Sequence, residues 1–261
     1  MKRLIGILQF MTRLPIPVDV GFDEEFHKGI VYFPIVGLIL GICYDIVGRI
    51  GSLFFNPYIV SILIISSEVI LTGGLHLDGL GDTFDGLYSY RDKDRILEIM
   101  KDSRLGTNGL LAIMMVLMLK AGFIYEIVNE KNLFWLIIMP AVARWMQVFA
   151  CYRTKTAREK GMGNLFIGKV TTKTLVIALF LLGSIILGTI GIYILLFRKM
   201  NYGYCLAQAS ISILLLTLIV KGFIKSVYQK IDGITGDILG AICELSELGF
   251  LIAIHLVAQF I

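Results

Sequence analysis

Three aspartates fall within eight residues of an otherwise apolar chain, in His76-Leu77-Asp78-Gly79-Leu80-Gly81-Asp82-Thr83-Phe84-Asp85-Gly86. Read as a helix, the segment sets Asp78, Asp82 and Asp85 at i, i+4 and i+7, so that about 3.6 residues per turn stacks them on one face. Like charges so placed repel, and a chain keeps them where water or a cation offsets them; Mg2+ takes carboxylate oxygens as ligands. Spacing alone leaves two readings open, a divalent-metal site and a solvated acidic loop. A second acidic set lies near the carboxyl end. Asp237 and Glu244 are seven apart on a common helical face with Gly240 between them leaving it open, and Glu247 lies one turn on, partly rotated away. Acids running into an apolar terminal segment are expensive unpaired in lipid, which favours function there. The two sets offer up to six carboxylates. One or two Mg2+ ions between them would bridge phosphate oxygens, neutralise charge on a transferred phosphorus and help ionise an attacking hydroxyl.

Cationic groups suited to phosphate are also present. Lys101-Asp102-Ser103-Arg104-Leu105-Gly106-Thr107-Asn108-Gly109 places Lys, Arg, hydroxyls and glycine amides before an apolar run. It reads as a phosphate cradle at a helix amino terminus, or as an anchor to anionic lipid headgroups. Arg144, inside an apolar run, is expected to reach a carboxylate or a substrate phosphate. Glu68, also inside a run, is read as lining a polar cavity, meeting a structural partner or being neutralised by a proton. The stretch from Arg153 to Lys173 reads as a mobile basic loop that attracts an anionic substrate or lipid. Its near match to a phosphate-binding loop, Gly163 to Val170, lacks the Ser or Thr that would meet Mg2+ and follows no strand.

The elements that must position these residues are membrane helices. Of 261 residues, 57% are hydrophobic and 17% charged, and the mean hydropathy is +0.81, against roughly a quarter charged in soluble domains. Seven apolar runs, near 30–48, 57–75, 107–127, 133–151, 174–197, 203–222 and 238–260, each approach the ~20 residues of a spanning helix. No alternating pattern suggests a barrel. The expected fold class is all-α, a polytopic helix bundle forming a single transmembrane catalytic domain over residues 1–261. Eighteen Lys and Arg lie with the amino terminus and the connections after the even-numbered runs, against Arg49, Lys131, Arg198 and Lys199 opposite. The amino terminus and both acidic clusters are therefore expected in the cytoplasm. Residues 1–13 read as a short interfacial or re-entrant helix ended by Pro15-Ile16-Pro17, and residues 90–100 as an amphipathic surface helix. Gly37 and Gly41 suggest a small-residue packing surface. The four cysteines read as packing residues, and His255 as a packed or hydrogen-bonded histidine.

Two resemblances extend this reading. Asp82-Thr83-Phe84-Asp85-Gly86 has the Asp-x-x-Asp-Gly form of the membrane CDP-alcohol phosphotransferases, but the rest of their pattern is only partly met. A longer ordered set resembles the cobalamin synthase family, adenosylcobinamide-GDP ribazoletransferase: Phe10-Met-Thr-Arg13-Leu-Pro15, Tyr32-Phe-Pro34-Ile-Val-Gly37, Thr72 through Gly86, Leu97 through Thr107, Arg144-Trp145 and Thr235-Gly-Asp237-Ile-Leu-Gly240-Ala. The resemblance implies a Mg2+-dependent enzyme of the cytoplasmic (cell inner) membrane, with its active site facing the cytoplasm. It would transfer cobinamide phosphate from adenosylcobinamide-GDP to the 3'-hydroxyl of α-ribazole or α-ribazole 5'-phosphate, releasing GMP late in cobalamin biosynthesis. On it, Asp78, Asp82, Asp85, Asp237 and Glu244 are metal ligands, and Asp82, Asp85 and Glu244 catalytic, with Asp85 or Glu244 as base. His76, Lys101, Ser103, Arg104, Arg144, Arg153 and Thr235 would bind substrate. Its partners are those substrates and the bilayer, not nucleic acid; a homo-oligomer is compatible with the sequence. The rivals are a phospholipid-forming CDP-alcohol phosphotransferase and an ion-coupled secondary transporter. Transport predicts acids at the midplane and inverted repeats, whereas the acids here are expected at one face and no repeat is seen.

Overall fold

The computed structural model describes residues 2–21, 23–197 and 201–260, so Arg198 and Lys199 of the charge comparison lie outside the described residues. These residues form ten α-helices and no strand: α1 (Lys2–Met11), α2 (Phe33–Gly51), α3 (Pro57–Thr72), α4 (Leu75–Leu87), α5 (Lys93–Ile99), α6 (Thr107–Asn129), α7 (Phe134–Cys151), α8 (Thr172–Phe197), α9 (Tyr202–Ile231) and α10 (Gly236–Val257). Six helices are long and apolar enough to cross a membrane, and α3 makes a seventh when its bent continuation is counted. The seven apolar runs of the sequence, the short amino-terminal helix and the surface helix α5 all appear.

The bundle is built around α7, which is buried along almost its whole length. Along one side α2 packs on it. A Cβ on Gly41 would stand 2.5 Å from the Ile137 carbonyl oxygen, and one on Gly37 would overlap the backbone of Pro140 and Ala141. Two glycines one turn apart thus let the backbones touch, the small-residue packing by which membrane helices associate where burial from water offers no drive. α10 lies against α7 and α9, also largely buried. The outer helices α6, α8 and α9 turn Met115, Met118, Phe180, Leu195, Leu214, Leu218 and Ile219 outward, as a lipid-facing surface requires.

Local signals set the helix ends. Asn56 caps α3 by accepting from the Ile59 amide at 3.1 Å, with Pro57 in the first turn. α3 stops at Gly73 and Gly74, both left-handed (φ +62° and +71°), a conformation glycine adopts without a Cβ penalty. The two residues turn the chain by 90°. As a result α4 runs at a right angle to α3, and with 13 residues it is too short to span by itself. The connections 73–106, 152–171 and 232–235 meet at this end: the Ala157 amide donates to the Ile234 carbonyl at 2.9 Å, and Lys93 pairs with Asp232 at 3.1 Å.

Candidate active site

The first acidic segment is the helix its spacing predicts, and what positions it is a crossing of α4 over the start of α10. At the contact both backbones are bare. A Cβ on Gly79 would lie 2.9 Å from the Asp237 carbonyl oxygen and 3.1 Å from its Cα, and one on Gly240 would lie 3.1 Å from the His76 carbonyl oxygen. The crossing brings Asp78 and Asp82 to Asp237. Asp82, half-buried, is pushed up to about 7, first by burial and then by the negative charges of Asp237 and Asp78. Arg158 offsets part of that charge, its Nη1 standing 2.7 Å from Asp237. Thr235 caps α10 by accepting from the Ile238 amide and donates its hydroxyl to Asp237 at 3.2 Å.

Beside the crossing is a cleft of about 360 Å³. Its lining includes the charged and polar His76, Asp78, Lys101, Arg158, Lys160, Asn164, Thr235 and Asp237 and the apolar Phe10, Met11, Phe33 and Phe166. An apolar cleft with a few convergent charged groups is the form of a small-molecule site. Gln147 also lines it. Its amide nitrogen donates to the Leu239 carbonyl at 3.1 Å, while its oxygen is buried with no partner among the described residues.

Asp85 has a more particular role than the spacing suggested. Its two oxygens accept the backbone amides of Gly106 at 2.7 Å and Gly109 at 2.9 Å, capping the amino terminus of α6. A Cβ on either glycine would collide with this carboxylate. The amides read as a phosphate cradle are therefore already held by a carboxylate of the chain itself, which gains from the helix dipole as a phosphate would. Of the cations in that segment, Lys101 reaches the cleft. Arg104 is exposed and paired with Asp102, and Ser103 is exposed. Arg153 is exposed and lies over the Tyr152 ring, 4.9 Å from its centroid.

Glu244 is not with the aspartates. At 1.5 Å rise per residue it lies about 10 Å further along α10 than Asp237, and its carboxylate is 3.1 Å from Lys120 Nζ. Lys120 is fully buried, with Glu68 and Glu247 also bound, each at 2.5 Å. Glu68, Glu244 and Glu247 form, among the described residues, the set of three carboxylates drawn within 4.8 Å of one another. The place a metal would take among them is filled by the ammonium. Arg144 reaches this set through Glu247, and its Nη2 stands 3.5 Å from His76 Nδ1 at the floor of the cleft. Arg144 and Glu68 thus each find a carboxylate or cation partner, as two of the open alternatives had it. The expectation that acids gather at one face is corrected: three lie inside the bundle, because one lysine makes them affordable there.

Three residues of the site were not selected in the sequence. Lys120 carries a signal, a lone cation inside an apolar run. Arg158 and Gln147 carry none, since only tertiary contacts distinguish them from neighbouring polar residues. The loop around Arg158 is tied to the fold at several points. Parallel bridges join Tyr152 to Val170 and Thr156 to Ile234, Asn164 donates to the carbonyls of Arg158 and Glu159, and Gly163 packs against Gly236 closely enough that a Cβ would stand 2.6 Å from its amide nitrogen. Cys151, Cys205 and Cys243 are buried and free, and His255 Nδ1 lies 3.2 Å from the Leu251 carbonyl.

Comparison with known proteins gives a consistent result. A family model described as cobalamin-5-phosphate synthase matches residues 3–255. A protein of Clostridioides difficile named adenosylcobinamide-GDP ribazoletransferase is 53% identical over 256 residues, covering 98% of each chain. Proteins of the same name from Alkaliphilus metalliredigens and Clostridium novyi are 46% and 38% identical, over 98% and 97% of this chain and 96% of each of theirs. No solved structure matches.

Proposed function

The chain belongs to the cobalamin-5-phosphate synthase family, and on that premise we propose that it transfers cobinamide phosphate from adenosylcobinamide-GDP to the 3'-hydroxyl of α-ribazole or its 5'-phosphate. The hydroxyl oxygen attacks the phosphorus that carries cobinamide, the bond to the GMP oxygen breaks, GMP leaves, and the hydroxyl proton passes to a carboxylate. The observation that carries the reading is the α4–α10 crossing, which sets Asp78, Asp82 and Asp237 together beside a cleft that also holds Lys101 and Arg158.

The donor set fits a hard divalent cation. Asp78 and Asp237 stand near enough to Asp82 that, after burial, their charges push its carboxyl up, and Arg158 is the facing cation on Asp237. Asp78, Asp82 and Asp237 are assigned to hold Mg2+, which when bound neutralises charge on the phosphate oxygens. Lys101 and His76 position the substrate at the cleft. Neither carboxylate named for the proton lines the cleft: Asp85 holds the α6 amides and Glu244 is buried against Lys120, so the proton is assigned to the aspartates of the crossing. Ser103, Arg104 and Arg153 stand apart from the cleft wall and are assigned no contact with the reacting phosphate. The excess of Lys and Arg at this end of the bundle supports a site facing the cytoplasm, with the enzyme in the cytoplasmic membrane.

Purified protein in liposomes, given adenosylcobinamide-GDP, α-ribazole and Mg2+, should release GMP, stop on chelation and resume when Mg2+ is returned. Turnover of a CDP-activated lipid in place of this reaction would overturn the assignment. Gly79→Val tests the crossing. The added atoms meet Asp237 backbone, which has no rotamer to give, so α4 must lift from α10. A displacement near 1 Å costs about 100-fold in rate, and the fall should appear with the unfolding temperature little changed, since neither α7 nor the buried lysine is touched. Wild-type turnover in Gly79→Val would show that the crossing does not set the site.

A further inference from the structure

Arg158 Nη1 is engaged by Asp237, while Nε and Nη2 are buried and have no hydrogen-bond partner among the described residues. Those two nitrogens form one edge of the guanidinium plane, with their N–H bonds parallel. This is the fork that matches two oxygens of a phosphate. A donor left unmade in a buried position is costly, and a pair of them on a cation more so. Arg158 lines the cleft, where it shares the wall with Lys101, His76 and Thr235. Its position is fixed from both ends. Asn164 holds the Arg158 carbonyl at 3.0 Å, and the preceding Ala157 amide is bonded to Ile234. Among the described residues nothing else uses these donors.

We propose that Arg158 is the phosphate-gripping residue of the cleft. The Asp237 contact orients the guanidinium, and the free Nε–Nη2 edge takes two oxygens of the diphosphate in the nucleotide-activated substrate, keeping hold of the nucleoside monophosphate as it leaves. This rests on the transfer reaction proposed above and adds to it a specific residue on the activated-substrate side. The alternative role is structural, with Arg158 only neutralising Asp237.

Arg158→Lys separates the two, because a lysine can still pair with Asp237 but offers no planar fork. Losing charge-assisted hydrogen bonds to phosphate should raise the KM for adenosylcobinamide-GDP and the inhibition constant of GMP by about 10- to 100-fold, with the KM for α-ribazole unchanged. Values within twofold of wild type for both guanine nucleotides would overturn the proposal, while absence of turnover by the wild-type enzyme would instead overturn the reaction on which it rests. A readout independent of the variant's folding is the Nε–H resonance of Arg158 in 15N-arginine-labelled wild-type protein in nanodiscs. It should move on saturation with GMP, and a resonance that stays in place refutes the contact.

Discussion

Asp82→Asn should abolish GMP release while leaving the protein at least as stable as the wild type. The asparagine has the same shape, so α4 and its crossing with α10 persist, but it removes the anion at the middle of the aspartate face. Losing several kcal/mol of charge stabilisation in phosphoryl transfer corresponds to a fall of at least about 100-fold. The stability half of the prediction follows from the sign of the Asp82 shift. A carboxyl pushed from 3.8 to about 7 in the fold supports the metal-free protein when protonated, and that support is lost as pH rises through about 7. An amide cannot ionise, so the variant escapes the loss. Turnover in proteoliposomes and thermal unfolding with and without Mg2+ measure both halves. The wild type should gain stability from Mg2+ and the variant should gain less. A variant that retains Mg2+-dependent turnover would take Asp82 off the ligand set.

Lys120→Met should do the opposite, striking the fold before the chemistry. Lys120 binds Glu68, Glu244 and Glu247, all buried, and Arg144 reaches one of these. Removing one partner of a buried ion pair costs about 3–5 kcal/mol because the remaining charge cannot return to water, against a total stability of about 5–15 kcal/mol. The variant should unfold at markedly lower temperature in detergent or fail to accumulate in the membrane. Adding Glu68→Gln should recover part of the loss, since one stranded carboxylate is then neutral. Wild-type stability in Lys120→Met alone would show that the carboxylates are neutralised without the lysine.

The sequence and the structure agree where a property depends on near neighbours. The apolar runs became spans because length and composition suffice to define them, and Asp78, Asp82 and Asp85 became one helical face because spacing suffices. What depends on distant partners was not legible. Spacing put Glu244 on the face of Asp237, but Lys120, 124 residues away, decides what that carboxylate meets. Gly106 and Gly109 were read as open donors, and only the fold brings Asp85 onto their amides. Gly240 was read as leaving the acidic face open, and Gly79 lies in the acidic segment that meets it. They are room for each other's helices. Arg158 sits in a loop with no periodicity to mark it, and its importance comes from a cleft assembled by α4, α10 and the loop itself.

The contact between Gly79 and Gly240 also bears on how the protein is made. α4 emerges early in synthesis and α10 is the last helix of the chain, so the two halves of the acidic site are separated by five helices in time as well as in sequence. Until α10 inserts, Asp78 and Asp82 have neither Asp237 beside them nor the backbone they rest on, and Lys120 has only Glu68 of its three carboxylates. Packing of α10 completes both the charge balance around Lys120 and the aspartate crossing, so the two form in one step.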